Sequence, residues 1–183
     1  MVSNEEILVN KRNGRGKEAL QIDKIHAMVG FATDGITGVS ASHVEMNSGI
    51  QLFDGISTAD IQQILIKSAN DLITLESPNY QYVAARLLLF SLRKQLFHRL
   101  WDHPKLIDHI KKLIDMGLYD KDILVNYDES EIDRMNMWID HERDYNFTYA
   151  GLRQVMDKYL VQDRSTGEIF ETPQFMYMMI SAT

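Results

Sequence analysis

The chain has no cysteine, only three prolines in 183 residues, and no apolar run approaching the roughly 18 residues that a membrane span requires. The missing cysteines exclude disulfides, thiolate zinc sites, iron–sulfur clusters and any cysteine nucleophile or thiyl chemistry within these residues. A reducing cytoplasm is the natural setting. No basic start leads into an apolar segment, so no secretory signal is expected. The common nucleotide signatures, G-x-G-x-x-G and G-x-x-x-x-G-K-[ST], are absent, and so is the H-E-x-x-H of zinc hydrolases. Internal repeats and low-complexity tracts are also missing. What remains is 45% hydrophobic and 25% charged, a globular composition long enough for one domain or two small ones.

The net charge of −7 is unevenly spread. Residues 1–100 carry ten basic and ten acidic side chains, whereas residues 101–183 carry nine and sixteen. A pI near 5.3 argues against non-specific nucleic-acid binding. Within the neutral half the bases cluster. Lys11, Arg12, Arg15, Lys17 and Lys24 face only Glu18 and Asp23, and Arg86, Arg93, Lys94 and Arg99 have no acid between Ser77 and Trp101. Two compact cationic patches suit a small polyanion, or are simply solvated surface.

The first 22 residues read as a hairpin, with Ile7-Leu8-Val9 and Ala19-Leu20-Gln21-Ile22 flanking the turn signal Asn13-Gly14. Asp23 then caps a helix through Ile25, Met28, Val29 and Ala32. Ser40 or Ser42 opens a second through Val44, Met46 and Ile50. Ser57 or Thr58 caps a third, striped by Ile61, Ile64, Leu65, Ala69, Leu72 and Ile73, and Pro78 starts a fourth running to Phe97. The start of the third helix offers backbone N–H groups and the Thr58 hydroxyl to an anion, unless Thr58 is an ordinary cap. Lys94 can converge on it in a four-helix bundle.

After a boundary at His98–Pro104, helices are expected over Pro104–Met116, Asp128–Ile139 and Phe147–Leu160. A second hairpin turns at Asp163–Gly167, and Thr172-Pro173 opens a last helix that is apolar on every side. Such a helix belongs in a core, so the chain is expected to be cut short or to need a partner over Phe175–Ile180. The methionines 156, 176, 178 and 179 read as core filler. Asp128-Glu129-Ser130-Glu131 reads as a dipole-matched helix start. The six histidines show no i, i+4 ligand pair, and no metal site is expected.

The motifs Lys11-Arg12-Asn13-Gly14, Asp23-Lys24-Ile25, Asp54–Ile61, Pro78–Arg86 and Leu92-Arg93-Lys94, in this order and spacing, resemble an ATP-cone. That is the regulatory nucleotide-binding module of ribonucleotide reductase large subunits. Asp140–Asp144, Lys158–Val161, Thr166–Ile169 and Glu171–Gln174 look like the helical segment before the catalytic barrel in class I large subunits of bacterial and T-even-phage type.

The resemblance implies a mainly α fold with a small β-sheet. Residues 5–97 would form a four-helix bundle capped by a short sheet, and 98–183 a helical segment with one hairpin, ending before the barrel and its cysteines. It implies ATP or dATP as allosteric effector, with Mg2+, and no cofactor for chemistry in this segment, which alone would be inactive. Lys11 and Lys94 match the triphosphate lysines, with Arg12 beside them, and Thr58 the helix-start threonine. Glu18, Ala19, Leu20, Gln21, Ile22, Asp23, Lys24 and Ile25 match the stretch holding adenine and ribose, Glu18 and Gln21 as polar contacts.

The hairpin loop is one residue longer than the common bacterial version. Gln62 replaces a histidine that matters for dATP inhibition. Its side chain is expected to face the ligand one turn after Thr58, with little ATP/dATP discrimination. Implied partners are the rest of the large subunit, a small radical-generating subunit and a second copy in a homo-oligomer. Nucleic acid and membrane are not implied, and the location is cytoplasmic, the host's if viral. Two other readings are an ATP-cone repressor, which would carry a cysteine-rich zinc ribbon, and a degenerate ATP-cone acting as a helical protein-interaction module.

Overall fold

The computed structural model describes residues 7–11, 16–49, 53–98 and 102–183. Arg12, Asn13-Gly14, Arg15, Ile50, Arg99 and Trp101 lie outside the described residues. The chain is mainly helical with two small antiparallel sheets, and it gathers into two compact units. One runs to Ser91 and includes Thr148–Ala150; the other comprises Leu92–Phe147 and Gly151–Thr183.

In the first unit β1 (Leu8–Asn10) pairs antiparallel with β2 (Lys17–Ala19), in the register Leu8 with Ala19 and Asn10 with Lys17. Val9 points into the core while Leu8 is exposed, the alternation of a half-buried strand. The helix α1 (Ile22–Thr33) buries Ile25, Val29 and Ala32, one face at spacings of four and three. It begins earlier than expected. Gln21 is the N-cap and Asp23 lies inside the first turn, where its carboxylate complements the helix dipole. Ile22 is therefore helical rather than the end of a strand.

The helix α2 (Ala41–Gly49) packs on α1, and α3 (Thr58–Asp71) packs on α2. Ser57 caps α3: its Oγ accepts from the Asp60 N–H at 3.0 Å and donates to the Asp60 carboxylate at 2.6 Å. Thr58 is consequently the first helical residue and not the cap. The helix α4 (Tyr80–Phe97) is buried almost continuously from Val83 to Arg93, as the central member of a bundle must be. Arg86 ties it to the end of α1 by donating to the carbonyl of Asp34 at 2.7 Å.

The second unit is built on α5 (Leu106–Asp115), the short α6 (Ile123–Asn126), α7 (Glu129–Trp138), a 3-10 turn (His141–Asn146), α8 (Tyr149–Lys158) and α9 (Pro173–Ala182). A hairpin of β3 (Gln162–Asp163) and β4 (Glu168–Ile169) precedes α9. Gly117, at φ +71°, ends α5 in the left-handed conformation that glycine adopts without strain. Asp128 and Glu131 form a reciprocal capping box at the start of α7. Leu106, Ile110, Ile123, Ile132, Phe175 and Met179 form the core. Among the methionines expected there, Met156, Met176 and Met179 are buried and Met178 is half-buried. The short α6 and the 3-10 turn were not expected. Nor is α9 covered on every side: it buries Phe175, Met176 and Met179 and leaves Tyr177 and Ile180 exposed.

Candidate functional site

The hairpin and the start of α3 are joined by main-chain hydrogen bonds. Asn10 N–H donates to the Ile56 carbonyl at 2.9 Å, Gly55 N–H to the Leu8 carbonyl at 2.8 Å, and Leu8 N–H to the Asp54 carboxylate at 2.9 Å. The Asn10 side chain donates to the Gly55 carbonyl at 2.6 Å. Asn10 and Ser57 make a parallel bridge. Gly55, at φ +82°, allows the tight reversal that presents Ser57 and Thr58 there. This zipper sets Lys11, the residue after β1, next to the N-terminus of a 14-residue helix. Two sources of positive potential, an ammonium and a helix start, are thereby held together.

Lys11 is partnered. Its Nζ lies 2.9 Å from the Glu18 carboxylate. The Lys11 hydrogen bond and charge, with Lys24 adding to them, hold the Glu18 carboxyl below the usual carboxylate range. Lys11 N–H also closes the loop by donating to the Gly16 carbonyl at 2.9 Å. Next along the chain, Ala19 and Leu20 are half-buried, and Gln21, Ile22, Asp23 and Lys24 are exposed. Gln21 makes no side-chain cap bond to α1. Ile25 turns inward and is part of the core.

Two expectations are corrected. Gln62 does not face the ligand end of α3: it is 2% exposed, and its amide donates to the Leu87 carbonyl of α4 at 3.0 Å. Nor do Arg86 and Arg93 offer their charge to a cationic surface. Arg86 is committed to main-chain carbonyls. Arg93, 1% exposed, belongs to the second unit, as does Lys94, and there it donates to the Tyr145 hydroxyl at 2.8 Å and the His141 carbonyl at 2.6 Å. Its guanidinium lies 3.7 Å from the buried Asp144 carboxylate. Burial raises Asp144 to about 6, opposed by the Gln174 hydrogen bond and by Arg93.

Beside this pair the rings of His103 and His141 stack at 3.8 Å, and His109 stacks on Phe175 at 4.3 Å. Burial lowers His109 to about 4, Lys112 contributing, and His141 to about 3, with His103, Arg93 and His109 contributing. The rings form a packed aromatic cluster in which burial keeps His109 and His141 neutral. Among the described residues, no group of three His, Asp or Glu is disposed to hold a metal ion. In the sequence Arg93 reads as surface charge, and the histidines are too far apart to read as one cluster. The signal that marks Arg93 is its place directly after Leu87–Leu92, a run apolar but for Ser91.

Residues 7–95 match the ATP cone domain family, and residues 145–183 match the ribonucleotide reductase all-alpha domain. The chain is homologous to the N-terminal part of ribonucleoside-diphosphate reductase alpha subunits. It is 46% identical over 179 residues to ribonucleoside-diphosphate reductase 1 subunit alpha of Escherichia coli strain K12, covering 98% of this chain and 23% of that subunit. The subunit alpha of Haemophilus influenzae is 47% identical over 180 residues, covering 98% and 24%. That of Enterobacteria phage T4 is 41% identical over 174 residues, covering 94% and 23%. The chain thus spans about a quarter of the length of these relatives. The ATP-cone is a nucleotide-binding allosteric domain, and the reductase an oxidoreductase. No described helix is long and apolar enough to cross a membrane.

Proposed function

We propose that this chain is the nucleotide-sensing part of a class I ribonucleoside-diphosphate reductase large subunit. Residues 5–97 bind ATP or dATP, with Mg2+, and 98–183 lead toward the catalytic barrel. The observation that carries the reading is the zipper between β1 and residues 54–57, which brings Lys11 beside the start of α3 within the segment matching the ATP cone. In this reading Lys11 and the Thr58 end of α3 meet the triphosphate. Lys94, with Arg12, completes its neutralisation. Glu18 and Gln21 take polar edges of adenine and ribose, with the backbone from Ala19 to Ile25 shaping the slot. A charged group at the phosphates and an acid at the neutral base is the division of labour that the two ligand halves require.

Bound effector tunes subunit association, and through it the reduction of ribonucleotides for DNA synthesis. The partners are the rest of the large subunit, a small radical-generating subunit and a second copy, in the cytoplasm of a cell or of a viral host. This segment carries regulation and no catalysis. Equilibrium dialysis with labelled ATP, challenged by GTP, tests the reading. Saturable binding that ATP and dATP displace better than GTP supports it. Failure to bind any nucleotide would instead leave a degenerate cone acting as a helical interaction module.

A further inference from the structure

In the stretch between the two family matches, which end at residue 95 and resume at 145, the second unit holds a hollow of about 350 Å3. Phe97 at the end of α4, His103, and Asp108, His109 and Lys112 of α5 help to line it. One wall is aromatic. Phe97 meets the His103 ring edge-on at 5.6 Å, and a flat ring set against them finds the faces and edges that aromatic pairs prefer. The other wall is polar. Asp108 and Lys112 are exposed and stand one turn apart on α5, on the same side of the helix. His109, next to Asp108, is 2% exposed, and its Nε2 has no hydrogen-bond partner among the described residues. Buried polar atoms are nearly always paired, so an orphan nitrogen in the wall of a hollow marks a place for a bound group.

The lining selects the ligand class. Asp102 and Asp108 outnumber Lys112, and burial keeps His109 neutral, so phosphates and other polyanions are disfavoured. A carboxylate accepts N–H groups, and a neutral imidazole nitrogen needs one donor or one acceptor. We propose that this hollow binds a small flat heteroaromatic amine, uncharged or singly cationic, in the size class of a nucleobase. Its ring lies against Phe97 and His103, its amine donates to the Asp108 carboxylate, and a ring nitrogen or N–H completes His109. None of these residues belongs to the proposed nucleotide site, and the inference does not rest on that reading.

The test titrates 2-aminobenzimidazole into the 183-residue chain while the His109 ring resonances are followed by NMR. A saturable shift of His109 is expected. Asp108→Asn, at an exposed position, should weaken binding about fivefold, because a charge-assisted contact becomes a neutral one. Lys112→Ala should leave it equal or tighter, since it removes a charge of the probe's own sign. Benzimidazole, which lacks the exocyclic amine, should bind more weakly and lose its sensitivity to Asp108→Asn. No His109 shift at millimolar probe overturns the proposal. So does equal affinity in the wild type and Asp108→Asn. A shift that ATP abolishes also overturns it, by placing the probe in the nucleotide site, whereas a shift that persists in ATP supports the hollow whether or not ATP binds.

Discussion

Lys11 and Glu18 face each other across the base of the hairpin loop, ammonium to carboxylate at 2.9 Å, beside the start of α3. In the proposed site Lys11 serves phosphate and Glu18 serves the nucleoside, so the pair must loosen when both are engaged. Lys11→Ala should weaken ATP about tenfold or more, since a charge-assisted contact is worth about 1.5–3 kcal/mol. Competition calorimetry checks it, and unchanged affinity would remove Lys11 from the site.

Glu18→Gln separates the two roles. It releases Lys11 from its partner, so tripolyphosphate should bind severalfold more tightly. The preference for ATP over GTP should narrow at the same time. If both ligands simply weaken in parallel, Glu18 acts only as a support for the hairpin.

Gln62 is expected to matter for folding more than for binding. Its buried amide donates to Leu87, and Gln62→Ala removes that bond and leaves a small void. A loss of roughly 1–3 kcal/mol in urea unfolding should accompany a change of less than about threefold in ATP affinity. The reverse pattern would return Gln62 to the ligand.

Stability should fall with acid. His109 and His141 are held near 4 and 3 in the fold. The unfolded chain binds protons first, and stability is lost from about pH 6.5 downward. Asp144, raised to about 6, acts oppositely: it takes a proton in the fold before the unfolded chain does, which adds stability between about pH 6 and 4. Each histidine should cost roughly 2 kcal/mol between pH 7 and 5, and Asp144 should return about 1. Urea unfolding at the two pH values should show a net loss, reduced in His109→Phe. A flat profile would mean the cluster opens to water.

Arg93 and Asp144 are both about 1% exposed. Arg93→Met leaves Asp144 without its guanidinium and should destabilise the second unit by roughly 3–5 kcal/mol. Arg93→Met combined with Asp144→Leu should recover part of that loss. A double variant no better than the single one would show that the Gln174 hydrogen bond, rather than the charge of Arg93, holds the carboxylate.

Much of the fold was legible because local signals agreed with tertiary demand. Ile61, Leu65 and Ala69 repeat at one helix face, Ser57 offers a cap, and Gly117 ends α5. The points left open or misread are those where neighbours in space decide the outcome. Ser57 and Thr58 are equivalent as hydroxyl caps, and only the zipper with β1 selects Ser57. Ile123–Asn126 is too short to show a period. Arg93 reads as surface charge because Tyr145 and His141 lie about fifty residues away in sequence, and the burial of Gln62 is decided by the Leu87 carbonyl 25 residues on. Of the candidate site, Lys11, Glu18 and the start of α3 were readable as a motif, whereas the burial of Gln62 was not.

The most direct test of the central claim is calorimetric titration of the 183-residue chain and its Lys94→Ala variant with ATP. Saturable binding to the wild type and about tenfold or greater weakening by the loss of Lys94 are expected. No binding heat at several temperatures, or equal affinity in the two proteins, would contradict the claim.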